Sequence, residues 1–254
     1  MNILKKLVFS FSAFILCVNA IAQEGTRESD ASINGKVMTI PFQSYMYMSE
    51  IDKKINEKTG WSHEQIKEYF RRNLDVQLML KLKGKTQVVS FYKDSVNMAK
   101  DLDYTYKSRT LTYETIDPNG NKVTNSKQQK NITNGQLTVE MKTNKGYMTA
   151  KIINPGLLST LNKKYGSVYF IFINELDIKY DLNTYDIAAD AYQREVTVHY
   201  TIMDKNQKII SSGIAVSPLS PTEDNPKKIV ETSLAPIAEY IAEKLTSATR
   251  VKKQ

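Results

Sequence analysis

Residues 168–176, VYFIFINEL, are apolar at nearly every position. A strand with one wet face alternates apolar with polar side chains, so an unbroken run this short and β-branched or aromatic belongs to a central strand covered on both faces. The chain must therefore supply helices for both sides of a sheet. It does. Ser62 followed by Gln65 forms a capping box, Ile66, Phe70, Leu74 and Leu78 repeat every four residues, and Gly84 stops the helix. A second helix, LLSTLNKKYG, carries Leu157, Leu158 and Leu161 on one edge and ends at Gly166. A third opens at Pro226, the favoured first position, and its stripe is Val230, Leu234, Ile237, Ile241 and Leu245. Pro236 removes one of its internal hydrogen bonds and predicts a kink or break near Ser233.

Strands alternate with these helices. Residues 36–42 form a short apolar strand ended by Pro41, residues 86–92 another, and residues 95–102 a short helix. Residues 195–203 and 209–217 form a hairpin across Asp204, Lys205, Asn206 and Gln207. The fold class is α/β: a mixed sheet flanked by helices, with an antiparallel hairpin near the C-terminus. Ser49 with Asp52 three residues on imitates a capping box, and Ile51 and Ile55 fall on one face, so a helix is expected to start at Ser49.

Between about 101 and 151 the composition turns to Asn, Lys, Thr and Gln, which reads as a polar β-hairpin insertion. Asp117-Pro-Asn-Gly120 marks one turn, residues 136–141 and 147–153 are expected to pair across Asn144, Lys145 and Gly146, and residues 126–134 are the least structured part.

The N-terminus has the three parts of an export signal: Lys5 and Lys6, the apolar run 7–18, and the small-x-small site Ala20-Ile21-Ala22. The apolar run is too short to span a bilayer, so cleavage after Ala22 is expected, followed by a flexible leader over residues 23–34 and one α/β domain over 35–250. Phe14, Ile15 and Leu16 precede Cys17 where a lipidation signal needs small residues, which argues against a lipid anchor. Once Cys17 leaves with the signal, disulfides, thiolate metal sites and a cysteine nucleophile are excluded. The formal net charge is +8, two units of it from Lys5 and Lys6, and basic residues are dispersed among acids. That pattern argues against nucleic acid and for weak attraction to an anionic envelope surface.

The order of segments, with KKYG leading into VYFIFI, then VTVHYTIMDKNQKIISSGIAVS and the closing helix LAPIAEYIAEKL, resembles the periplasmic α/β domain shared by the curli-secretion lipoprotein CsgG, the penicillin-binding-protein activator LpoB and the N-terminal domain of TolB. The resemblance implies an accessory role in envelope assembly or secretion. The insertion is too polar to supply the long alternating strands of a membrane pore.

Residues by themselves give no reaction. HExxH, CxxC, GxSxG, a P-loop and GxGxxG are all missing from the sequence, and no cofactor is expected. His63 reads as a surface residue in a first helical turn and His199 as a hydrogen-bonded sheet residue. The acids from Glu175 to Asp190 lack the glycine and distal glutamate of a calcium loop, and read as a solvated strand end and loop. The expected function is therefore binding of another envelope protein or cell-wall component. Two alternatives stay open: a hydrolase built on a carboxylate pair, which leaves no local motif, and a structural surface or filament component, a homo-oligomer, made from tyrosine-rich strands. The candidate partner-binding residues are Tyr45, Met46, Tyr47 and Met48. Tyrosine offers broad amphipathic contact and methionine adapts to irregular surfaces. Strand alternation predicts both tyrosines on one side and both methionines on the other.

Overall fold

In the computed structural model the described residues are 32–92, 95–116, 131–133, 136–138 and 145–249. The expected signal, Cys17, most of the leader and the turn at Asp117 lie outside them. In chain order the elements are β1 (Lys36–Ile40), a 3₁₀ turn (Ser44–Met46), β2 (Tyr47–Ser49), α1 (Asp52–Thr59), α2 (His63–Leu82), β3 (Val88–Ser90), α3 (Ser95–Lys107) and β4 (Arg109–Ile116). Then come β5 (Asn131–Thr133), β6 (Gln136–Thr138), β7 (Lys145–Ile152), α4 (Leu157–Tyr165), β8 (Ser167–Asp186), β9 (Ala191–Asp204) and β10 (Ile209–Leu219). The chain closes with α5 (Pro226–Ile229), a π turn (Val230–Leu234) and α6 (Ala235–Thr249).

The main sheet is mixed and runs β10-β9-β8-β1-β3, with β2 also on β8. The central apolar run is the start of β8. Its Ile171 and Ile173 join one core with α1, α2 and α6, while Phe170 and Phe172 join the other with Met98 of α3 and Leu157, Leu158 and Leu161 of α4. Helices thus cover both faces, as the unbroken apolar pattern requires. The two cores use every residue of the predicted helical stripes on α2, α4 and the C-terminal helix.

Local chemistry sets the helix boundaries. Ser62 accepts from the Gln65 N–H and the Gln65 side chain returns the bond to the Ser62 N–H. Gly166, at φ 72°, closes α4 by donating to the Asn162 carbonyl at 2.7 Å. At Pro236 the helix does not break. The chain inserts the π turn, in which the Ala235 N–H reaches the Val230 carbonyl, and so absorbs the missing donor.

Several expectations are corrected. Ser49 ends β2 instead of capping a helix; its hydroxyl accepts from the Ile51 N–H at 3.3 Å, and α1 starts at Asp52 without a side-chain cap. The leader is ordered by its end, because Ile33 is buried and its N–H bonds the Lys85 carbonyl at 2.9 Å. The helix expected over 95–102 continues to Lys107, carried by buried Met98 and Thr105, so the polar insertion starts later than residue 101. Among the described residues, 147–152 do not pair with 136–138. β7 pairs antiparallel with β4, and β6 with β5, which lies within the segment expected to be least structured.

These boundaries carry an expected ranking of stability. Ser62→Ala should lower unfolding free energy by about 1 kcal/mol and Ser62→Gly by only a few tenths. Leu74→Ala, which opens a cavity in the core under α2, should cost about 2–5 kcal/mol. Urea midpoints of the three variants check the order.

Candidate partner-binding site

β1 lies at the point where the sheet order reverses. From β1 the chain passes through α2 to β3 on one side, and later through α4 to β8 on the other, with all three strands parallel. Ligands of open α/β sheets bind beyond the carboxyl ends of strands at such a reversal. A cleft of ≈ 350 Å³ opens there, between α2 and α3, lined by Pro41, Phe91, Met98 and Leu102 together with Arg71 and Tyr106.

The polar groups around the cleft are largely committed to holding it. Asp75 of α2 is buried and accepts from the hydroxyls of Thr39 and Ser90, which ties the ends of β1 and β3 to the helix. Burial pushes its carboxyl above the usual range, against the pull of those hydroxyls. One turn earlier, Arg71 donates from Nε to the Phe42 carbonyl at 2.7 Å and from Nη2 to the Tyr106 hydroxyl at 2.8 Å, and pairs with Glu68 at 3.3 Å. The Tyr106 hydroxyl donates in turn to the Pro41 carbonyl at 2.8 Å. The Arg71 guanidinium also lies 5.5 Å from the centre of the Tyr92 ring, whose buried hydroxyl has no hydrogen-bond partner among the described residues.

Residues 45–48 follow Pro41 of the cleft lining in the chain, and they divide differently from the expected alternation. Tyr45 is 72% exposed and Met48 44%, whereas Met46 at 9% and Tyr47 at 6% are core. The 3₁₀ turn over Ser44–Met46 rotates successive side chains by about a third of a turn, so the two-residue period begins only at Tyr47. Tyr47 packs near Phe42 and Phe70 and donates to Asp52 at 2.7 Å, while Asp52 also holds Nδ1 of exposed His63 at 2.6 Å. The surface pair is thus one tyrosine and one methionine.

The structure also assembles a cluster that spacing alone did not reveal. Glu175 and Asp177 are buried on β8, not solvated, and His199 lies opposite Glu175 on β9. Imidazole Nδ1 is 3.9 Å from Glu175 and Nε2 3.9 Å from Asp177. Nδ1 accepts the Met148 N–H at 2.8 Å, which places the ring proton on Nε2 and confirms His199 as a hydrogen-bonded sheet residue. Asn174 donates to the Met148 carbonyl at 2.9 Å and Thr201 accepts the Ala150 N–H at 3.0 Å. Three side chains of the main sheet therefore clasp the edge of β7. The half-buried acids further along serve their own loop: Asp181 accepts from Asn183 and Thr184, and Asp186 from Ala188, Ala189 and Gln193.

No family model matches the chain, and no curated protein does. Among solved structures it is similar to the hypothetical protein CT253 from Chlamydia trachomatis, at 11% identity and a TM-score of 0.39, over 84% of this chain and 98% of that one. It is also similar to the lipoprotein GNA1162 from Neisseria meningitidis, at 10% identity and a TM-score of 0.31, over 82% and 98%. Among the described residues no helix is long and apolar enough to cross a membrane.

The clasp gives a pH dependence with two opposed parts. Burial, reinforced by Asp177, pushes Glu175 up to about 7; burial holds His199 down to about 4 against the pull of Asp177. Glu175 binds its proton more tightly folded than unfolded, so its contribution is complete below the unfolded carboxyl value and is lost as pH rises through 7. His199 binds its proton less tightly folded, so its contribution is present above the unfolded imidazole value and is lost as pH falls through 4. The two oppose each other between about pH 4.5 and 6.5. Relative to the native chain, Glu175→Gln should gain stability as pH rises across that window and His199→Asn should lose it. Each drift should be about 1–2 kcal/mol, below the full linkage value because solvent screens part of the field. Denaturant titrations at several pH values read both slopes.

Proposed function

We propose that this chain is an exported, non-catalytic protein that binds another component of the bacterial envelope, through the rim formed by residues 41–48 and the cleft beneath it. The carrying observation is an apolar cleft at the reversal point of the sheet whose lining includes Pro41, from which the chain runs on to an exposed Tyr45 and Met48. An apolar pocket with few polar groups beside amphipathic aromatic area is what a protein or cell-wall partner needs to anchor a side chain. Arg71, Tyr106 and Asp75 are bonded to backbone and hydroxyl groups of the scaffold, which favours a preorganised binding site over groups held ready for chemistry. The export signal and the resemblance to envelope accessory domains support the location.

A second reading, hydrolysis by a carboxylate pair, draws on Glu175 and Asp177, since a carboxyl that burial pushes up to about 7 beside a second carboxylate is the kind of pair such chemistry uses. Against it, the pair is buried beside β7 and is not among the residues lining the cleft. A glycoside substrate screen in which Glu175→Gln and Asp177→Asn removed a turnover would promote it.

Photo-crosslinking from position 45 and from position 48 in the native cell tests the binding role. Both should capture one envelope component, and Tyr45→Ala with Met48→Ala should reduce its recovery about tenfold or more without lowering the urea midpoint, as expected when exposed anchors are truncated. Equal recovery from the double variant would remove the rim from the function.

A further inference from the structure

Arg109, the first residue of β4, is 5% exposed, and among the described residues its Nε and Nη2 have no hydrogen-bond partner. Its guanidinium carbon lies 5.3 Å from the centre of the Tyr106 ring. Among the described residues no ion pair reaches it. The phenols of Tyr106 and Tyr45 are the groups that act on its charge, while burial opposes that charge. Arginine does not shed its proton inside a protein, so the charge stays, and a cation–π contact returns less than desolvation takes.

A second buried arginine supplies the comparison. Arg194 lies 5.3 Å from the Tyr180 ring centre in the same manner, yet it also pairs with Asp224 at 2.8 Å and bonds the Glu223 carbonyl at 3.2 Å. Arg109 has the aromatic half of that arrangement and lacks the carboxylate half. At Arg194 it is Nη1 that meets Asp224, and Nε and Nη2 are unpartnered there as they are at Arg109, so what separates the two arginines is the carboxylate itself, the acceptor a guanidinium binds most strongly.

We propose that Arg109 is the receptor for a carboxylate of the partner, which enters beside Tyr45 and supplies to this guanidinium the acid that Asp224 supplies to Arg194. The proposal rests on the reading of residues 41–48 as the partner surface and adds the chemistry of the docking group. Tyr45 is tethered by a single side-chain bond to Gln43 at 2.9 Å and is mostly in solvent, so it can turn aside at small cost. Tyr106 joins the two parts of the surface: its ring faces Arg109 and its hydroxyl bonds Arg71 at the cleft wall.

Urea unfolding of the full chain in sodium acetate, sodium phosphate and sodium chloride at equal ionic strength tests this, with Arg109→Met and Tyr45→Ala as variants. Acetate should raise the folding equilibrium constant of the native chain severalfold over chloride, and phosphate less. Arg109→Met should fold at least as stably as the native chain in chloride, because a buried unpaired charge has been replaced by an apolar chain of similar length, and should show no acetate effect. Tyr45→Ala should keep the response, since the receptor remains. An Arg109→Met chain that fails to fold or loses tenfold or more in that constant overturns the proposal, as does an acetate effect that survives in it, is absent from the native chain, or is exceeded by phosphate. Capture of a partner from position 45 with no acetate effect would overturn the carboxylate receptor and leave the binding role standing; an Arg109-dependent acetate effect with no capture would do the reverse.

Discussion

The structure hangs on β8. One edge of this strand pairs with β1 over Ser167–Phe172 and then with β2 over Leu176–Ile178, and the other edge carries β9 along most of its length. Its first half is buried on both faces by helices, so the backbone there has no access to water and must be paired by neighbouring strands. Halfway along, the second face changes from Phe170 and Phe172 to Asn174, Glu175 and Asp177. At that point helical cover gives way to β7, a strand edge whose own polar groups need partners. Apolar side chains would leave the Met148 and Ala150 N–H groups unpaired; His199 and Thr201 satisfy them.

Buried charge is distributed by the same rule. Asp75 is offset by two hydroxyls, Arg194 by Asp224, Asp177 by Lys179 at 2.7 Å, and Lys67 by Glu64 at 2.6 Å. Each pairing offsets a desolvation cost that would otherwise be several kcal/mol per ion. Among the described residues Arg109 departs from this pattern, and it occurs one side chain away from the cleft.

Much of the scaffold was legible in the sequence because the signals were local. An unbroken apolar run, the capping box at Ser62, Gly166 and the proline inside the last helix each act within a few residues, and each appears in the structure where the chemistry puts it. The misreadings came from interactions that span the chain or hide the period. Residues 45–48 look like a strand, yet three residues of 3₁₀ turn shift the phase. Glu175 and Asp177 look like a solvated end because nothing in their neighbourhood announces β7. The β4–β7 pairing joins segments about thirty residues apart, where polar composition fits several registers. An arginine opening a polar strand reads as a surface residue, and only three-dimensional burial makes Arg109 conspicuous.

The rim and the clasp meet at three residues. Between the end of β1's pairing at Phe172 and the start of β2's at Leu176, residues 173–175 have no strand on that edge, and the β9 register shifts over the same interval. Pro41, which has no N–H to offer a ladder, is the residue at which the chain leaves β8, and residues 41–46 form the excursion that carries Tyr45 into solvent. Such an interruption costs ladder hydrogen bonds in the centre of the sheet. Asn174 recovers part of that cost by bonding Met148 and Thr201 with its side chain. The break that exposes the rim on one side is thus closed by the clasp on the other, which is why an exposed aromatic and a buried polar cluster occur at the same level of one strand.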